Sequence, residues 1–233
     1  MPSTPANMFH ALRRQVHREF RKPLIVFSPK RMLKMRAAMC ALNQLDEGTR
    51  FRRYIPDKTV TAGENIERLV VCSGQVYYDL VAAKEKMKNN EGEESGHKIA
   101  IARMEQLSPF PFDLFIENIQ DYPNLKSIVW AQEEPMNQGA WFYTSKRIES
   151  SLKHLNYPND IRSPIYAGRD VSAATATGDK KIHDAELAQL IEDALNLRRT
   201  THSYLEKYTQ TNNGRHAKEE EEEEGPMATQ ATN

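Results

Sequence analysis

A chain of 233 residues with 39% hydrophobic and 27% charged side chains is long enough to bury one good core and carry appendages. Only Cys40 and Cys72 occur, with no His or second Cys at ligand spacing, so neither a disulfide framework nor a zinc site is suggested and a reducing compartment is the simple inference. No run of about eighteen apolar residues is present, and Met1 to Asn7 is neither a secretory signal nor an Arg-rich transit peptide.

The 32 basic and 32 acidic side chains cancel, but they are not evenly spread. The first 58 residues hold thirteen Lys/Arg against Glu19, Asp46, Glu47 and Asp57, whereas residues 205–233 hold seven acidic groups against Lys207, Arg215 and Lys218. A basic segment of this kind meets nucleic acid, an anionic small molecule or an acidic partner surface, and composition does not choose among them.

In chain order, Thr4-Pro5 is a helix start, a capping hydroxyl followed by proline at the first helical position. Met8, Phe9, Leu12, Val16 and Phe20 then recur at helical spacing and predict an apolar face on a helix over residues 5–20. Leu24 to Phe27 is a continuous apolar run between prolines, the pattern of a strand buried on both faces. No earlier strand in the chain would pair with it, which suggests a piece of a larger sheet. Residues 31–45 are helix-compatible, and 46–65 read as a connector.

From Ile66 a regular alternation begins. Strands are expected at 68–72, 98–103, 127–131 and 164–167, and helices at 74–88, 111–120, 141–155 and 182–197. Four strands each followed by a helix predict an α/β domain whose mostly parallel sheet is flanked by helices, with functional loops at the strands' C-terminal ends. Those loops are Ser73-Gly74, Glu105 to Leu107, Gln132 to Pro135 and Gly168 to Asp170. Six consecutive glutamates, Glu219 to Glu224, repel one another and predict an unpacked tail over 205–233.

Few residues suggest chemistry. Glu133-Glu134 forms an acid/base pair only if environment separates the two pKa values, and otherwise closes a strand. Ser73-Gly74 before a helix offers backbone N–H groups to an anion, without a GxGxxG or a P-loop to support it. The seven histidines are scattered, there is no HExxH motif and no GxSxG elbow, so no catalytic residue and no metal ligand is assigned. The basic residues are not interleaved with aromatics as in an RNA-binding module, which argues against nucleic acid.

Several long stretches resemble one family. They are Pro2–Asn7 running into Phe9–Gln15 (FHALRRQ), Arg21–Lys30 (RKPLIVFSPK), Val70–Leu80 (VVCSGQVYYDL), Ile101–Leu114, Trp130–Tyr143 (WAQEEPMNQGAWFY) and Tyr166–His183. The family they resemble is the thiamine-diphosphate-dependent component of 2-oxoglutarate dehydrogenase, similar in domain plan to transketolase. Tyr166–His183 resembles this branch more than the branch acting on 2-oxoadipate.

The resemblance implies that residues 1–30 end a pyrimidine-binding domain, leaving the strand at 24–27 as a remnant without its sheet. It further implies a linker over 31–65, a transketolase-like C-terminal α/β domain over 66–198, and an extension over 199–233. The family's reaction uses thiamine diphosphate and Mg²⁺ to decarboxylate 2-oxoglutarate and pass the succinyl group to a lipoyl arm. Its partners are a second copy, the dihydrolipoyl succinyltransferase and the dihydrolipoyl dehydrogenase, and its eukaryotic location is the mitochondrial matrix. This sequence has no GDG motif for the cofactor, so the chain alone is expected to be a catalytically inert fragment; a stand-alone protein binding the complex is the alternative. An anionic effector site, if carried over, falls on Arg21, Ser28 and Lys30, with Arg53 added. Gln75 stands where the family usually has lysine, and residues 31–38 depart from its usual pattern.

Overall fold

The computed structural model describes residues 1–61, 64–89, 94–158 and 161–199, so the expected acidic tail over 205–233 lies outside the described residues. Its sheet is built from β1 (Tyr54–Ile55), β2 (Arg68–Cys72), β3 (Ile99–Met104), β4 (Ser127–Pro135) and β5 (Ile165–Arg169), in the order β1-β3-β2-β4-β5. All pairings are parallel except β1 with β3, which is antiparallel. Between and after the strands run α2 (Val76–Asn89), α3 (Phe112–Gln120), α4 (Trp141–His154) and α5 (Lys180–Leu195). The α/β class expected from the alternation is therefore the one observed, with element ends shifted by a few residues.

Parallel strands need helical crossovers, and the helices cover both faces of the sheet. Leu69, Val71, Ala102, Ile128 and Trp130 point to the face that packs with Phe115 and Ile119 of α3 and Ile148 and Leu152 of α4. Val70, Cys72, Ile101, Val129 and Ala131 point to the other, against Leu80 of α2 and Leu190, Ala194 and Leu195 of α5. Every residue of β2 and β3 is buried, so their apolar runs cannot show a solvent-facing period. Each fully buried Leu, Ile or Val stabilises the fold by about 1.5–3 kcal/mol.

A sheet buried on both faces leaves its polar groups without water, and two buried side chains meet that demand. Arg68 opens β2 with its guanidinium donating to Ser127 Oγ at 2.9 Å and to the carbonyl oxygens of Asn196 and Arg199 just past α5. A cation on carbonyls at a helix C-terminus satisfies acceptors that have no partner within the helix. Burial and the neighbouring Arg199 lower the Arg68 pKa to about 10. At the other place, β1 covers β3 only opposite Met104 and Arg103. Two residues earlier the Ile101 N–H donates instead to the Asp57 carboxylate at 2.9 Å. Asp57 also accepts from Lys84 Nζ of α2 at 2.7 Å and from Thr59, with its side chain 7% and that of Lys84 2% exposed.

Three expectations are corrected. Leu24 to Phe27 forms no strand and pairs with none of the five strands, and all four side chains are exposed. The helix-compatible stretch 31–45 is broken into single 3-10 turns at Met32–Lys34, Arg36–Ala38 and Leu42–Gln44, separated by extended residues. Helical stretches this short hold only when an apolar face is packed, and Leu33, Met39 and Leu42 stay outside. The first helix, α1 (Pro5–His17), stops three residues early at an extended Arg18, with Thr4 Oγ1 accepting from Asn7 N–H at its start as expected. The segment read as connector supplies β1, which sequence reasoning did not anticipate.

Burial works against the Asp57 carboxylate, but Lys84 and the donors from Ile101 and Thr59 outweigh it and hold its pKa below the usual carboxylate range. Its contribution to stability is thus present above an unfolded pKa of about 4 and fades as pH falls through the lower folded value. Asp57→Asn strands a buried ammonium and is expected to cost about 3–5 kcal/mol at neutral pH in urea unfolding. Adding Lys84→Met should recover most of that loss, and a single variant within 1 kcal/mol of the parent would contradict this account (about the range of a surface change).

Candidate functional site

The C-terminal ends of β2, β3 and β4 are where an open parallel sheet presents its loops. Here two side chains organise them. Gln132 of β4 is buried, and its Nε2 donates to the carbonyls of Glu134, Pro135 and Gln138 while its Oε1 accepts from Trp130 Nε1 and from the N–H groups of Ala140 and Trp141. One amide thereby folds the turn before α4 back onto its own strand. Gly139 sits at φ 65°, where a Cβ would come within 2.9 Å of the Gln132 amide. Glu105, just past β3, does the same for the chain's start: it accepts from Ser3 N–H at 3.0 Å, from Ser3 Oγ, and from Asn7 Nδ2 at 2.9 Å. Arg103 adds a contact from its guanidinium to Ser3 Oγ and lies 3.9 Å from the Tyr77 ring.

These contacts decide how α1 is oriented. Asn7 also donates to the Arg52 carbonyl at 3.0 Å and accepts from the Arg52 N–H at 2.9 Å, while His10 Nε2 lies 2.8 Å from the Gln44 carbonyl. Ala6, Asn7 and His10 are therefore the buried face. Phe9, Leu12 and Val16, the face that the hydrophobic spacing marks for burial, are 40%, 50% and 74% exposed.

Docked this way, α1 brings Arg14 beside Arg50, Arg52 and Arg53, which with Phe51, Tyr54, Pro56 and Leu114 wall a cleft of about 610 Å³. Arg14 donates to Gln106 Oε1 at 3.1 Å and stacks 4.5 Å from the Phe51 ring. Burial and Arg18 lower its pKa, and burial and Arg103 lower that of Arg52 against a smaller opposing effect of Glu105. Arg53 is held bidentate by Asp113, at 3.2 and 2.5 Å, but no carboxylate among the described residues pairs with Arg14, Arg50 or Arg52. Glu117 and Asp121 line the cleft as well. The arrangement suits an anion with a flat apolar part, since guanidinium groups grip phosphate and carboxylate in a fork and stack on rings.

Of the four residues expected to form an effector site, only Arg53 lines this cleft, together with Gln106 of the expected strand-end loop and Arg14 of the basic N-terminal set. Arg21 is exposed and donates to the carbonyls of Arg18 and Phe20, and Ser28 and Lys30 are exposed on the extended segment. Arg50 and Arg52 were missed, although Arg50-Phe51-Arg52-Arg53 is a visible basic run. Ser73-Gly74 does precede α2, with the Met1 side chain occupying the space beside Gly74. A second cleft, about 580 Å³, opens at the strand ends between Trp130, Gln132, Leu107 and Tyr143, with Glu134 as its carboxylate among the described residues. Cys72 is no nucleophile, as burial pushes its thiol up to about 12.

Glu133 and Glu134 lie within β4, which runs on to Pro135 through an irregularity after Ala131. Glu134 is exposed and Glu133 half-buried. Burial, Glu134 and Asp79 raise the Glu133 pKa, partly offset by Arg169 and Arg31. A carboxyl raised on folding favours its neutral form, so its stabilisation is complete below an unfolded pKa of about 4.3 and is lost as pH rises through the folded value. Glu133→Gln should raise the melting temperature at pH 7 and leave it unchanged at the acid end; a thermal shift of equal size at both pH values would refute this assignment.

Comparison with known proteins gives the chain its relatives. Residues 39–195 match the family model described as 2-oxoglutarate dehydrogenase C-terminal. The mitochondrial 2-oxoglutarate dehydrogenase of Schizosaccharomyces pombe is 44% identical over 82% of this chain, and that of Dictyostelium discoideum is 44% identical over 83%. The 2-oxoglutarate dehydrogenase E1 component of Azotobacter vinelandii is 42% identical over 83%. The chain spans only 18%, 18% and 19% of those three relatives. A solved structure titled split gene transketolase, inactive beta4 tetramer, superposes with a TM-score of 0.41 at 16% identity, over 66% of this chain and 46% of that one. The family model covers well over half of the sequence, and the chain belongs to the 2-oxoglutarate dehydrogenase C-terminal family.

Proposed function

We propose that this chain is a non-catalytic, anion-binding part of the thiamine-dependent component of 2-oxoglutarate dehydrogenase. The observation that carries the reading is the cleft in which Arg14, Arg50 and Arg52 have no carboxylate partner among the described residues. Of the four effector residues expected from the sequence, Arg53 is the one this reading retains. The intact protein would decarboxylate 2-oxoglutarate on thiamine diphosphate with Mg²⁺ and hand the succinyl group to the lipoyl arm of its partner acyltransferase, as a homodimer in the mitochondrial matrix where the source is eukaryotic.

In this reading the chain alone does not hold that cofactor, since the sequence carries no GDG motif. What the chain would supply is a rigid wall: a sheet whose strand ends are closed by Glu105 and Gln132, with the arginine cleft beside them. Isothermal titration with inorganic pyrophosphate should give saturable binding that Arg50→Gln with Arg52→Gln weakens at least tenfold, by loss of charge-assisted contacts worth about 1.5–3 kcal/mol each. The same titration with thiamine diphosphate and Mg²⁺ should give no binding beyond that of the diphosphate moiety in the cleft. Absence of pyrophosphate binding, or an affinity unchanged in the double variant, would reject the anion reading.

A second reading, a stand-alone protein that binds the dehydrogenase complex, is favoured by one feature. Phe9, Leu12 and Val16 of α1 and the unpaired run Leu24 to Phe27 leave large apolar side chains exposed, and such surfaces mark contacts with another chain. Under this reading the purified chain captures the intact dehydrogenase component, and Ile25→Asp with Phe27→Asp abolishes capture without changing the circular dichroism spectrum. Capture that survives the double change would reject this surface as the contact.

A further inference from the structure

The N-terminal segment carries exposed apolar groups and exposed cations in the same stretch of chain. Among the described residues sixteen large apolar side chains are exposed, and eleven of them lie between Phe9 and Leu42. The same stretch holds nine Lys/Arg against Glu19 alone, and all nine are exposed. Among the described residues only Arg31 of the nine has an ion pair, with Asp79 at 2.8 Å. We propose that this surface lies on an anionic lipid bilayer, with α1 and the run Leu24 to Phe27 in the interfacial layer and the cations at the headgroups.

The orientation of α1 is the first argument. A helix on the surface of a soluble domain turns its apolar stripe toward the core. Here α1 docks by Ala6, Asn7 and His10 and turns Phe9, Leu12 and Val16 outward, along a helix about 20 Å long. Gln15 Nε2 donates to the Lys22 carbonyl, so the chain leaving α1 returns beside it, and Arg31 is then tied to Asp79 in the first turn of α2. Between these two ties Ile25 and Phe27, at alternate positions, are 77% and 75% exposed. Arg18 and Lys22 stand 5.2 and 5.7 Å from the exposed Phe20 ring, cations bordering an apolar group as they do at a membrane interface. Such binding needs no crossing segment, and no described helix is long and apolar enough to cross a membrane.

Charge decides what covers this surface. A second copy would bring the same nine cations against the first nine, and like charges at close range repel. A protein partner would have to match the unpaired cations with acids of its own or bury them at a cost, and the core of a protein interface is depleted of such residues. A bilayer accepts both parts at once: apolar side chains enter the acyl boundary while Lys and Arg reach the phosphates on their apolar stems. Each cation close to an anionic bilayer raises affinity about fivefold. The proposal goes beyond the anion-binding reading of the cleft, with which it shares Arg14 alone of the nine.

Co-sedimentation of the full chain with lipid vesicles tests this. The parent should bind vesicles of phosphatidylglycerol and phosphatidylcholine in equal parts about a hundredfold more tightly than vesicles of phosphatidylcholine alone, and release them at about 0.5 M salt. Leu12→Gln with Val16→Gln, on the side of α1 away from its docking contacts, should weaken that binding about tenfold or more at an unchanged melting temperature. Lys22→Gln, Lys30→Gln, Lys34→Gln and Arg36→Gln together should weaken it about a hundredfold or more. Arg50→Gln with Arg52→Gln, which removes two cations from the cleft, should leave it within about a factor of two, since neither belongs to this surface. Anionic vesicles should also slow hydrogen exchange over residues 5–27 and leave β2 and β3 unchanged, a reading that requires no variant to fold. No binding to the anionic vesicles, equal affinity for both vesicle types, or binding that survives both sets of surface substitutions overturns the proposal. Loss of binding in the Arg50, Arg52 variant moves the lipid phosphate to the cleft, and capture of the intact dehydrogenase component without vesicle binding gives the surface to a protein; either result overturns it as well.

Discussion

Strands β2 and β3, and β4 from Ile128 to Gln132, are buried on both faces, so the polar groups at their ends and along their free edge have to find partners inside the protein. Four side chains meet that constraint. Arg68 ties the start of β2 to the end of α5, and Asp57 takes the N–H of β3 where β1 stops short. Glu105 fastens the chain's start beyond β3, and Gln132 folds the loop after β4. Each of these is a charged or amide group inside a protein, where leaving one partner missing costs more than the finished contact contributes. The apolar layers supply the stabilisation; these four determine which loop closes where.

The N-terminal helix shows what this does to an apparently simple pattern. Hydrophobic spacing on α1 marks Phe9, Leu12 and Val16 for burial, yet the helix docks through Ala6, Asn7 and His10. Asn7 makes three hydrogen bonds to Arg52 and Glu105, and none of these could form with the helix rotated to bury its apolar stripe. The stripe is left facing outward together with Leu24 to Phe27, an amphipathic helix and an extended run both without a covering layer among the described residues.

The arginine cleft is a product of that docking. Arg14, itself exposed, lies four positions after His10 on the same side of α1, and so is carried toward Phe51 and Gln106 by the same contacts that hold Asn7. The guanidinium groups there are brought together by hydrogen bonds made elsewhere, which is why they remain available while Arg53, engaged by Asp113, and Arg68, engaged by carbonyls, do not.

The sequence by itself determined the α/β class, the position of β2 to β5 and of α2 to α5, and the family. These are carried by short-range patterns: a buried parallel strand has to be a β-rich apolar run, and its crossover helix has to follow it. The tertiary structure alone decided three things. Leu24 to Phe27 stays unpaired because a strand exists only opposite another strand, and spacing within a segment cannot say whether a neighbour is present. β1, two residues long, carries too little pattern to be read before its pairing with Arg103 and Met104 is seen. The cleft joins Arg14 to Arg50 and Arg52 across some forty residues of sequence; no local period relates them, and only the Asn7, Arg52 and Glu105 contacts put them on one wall.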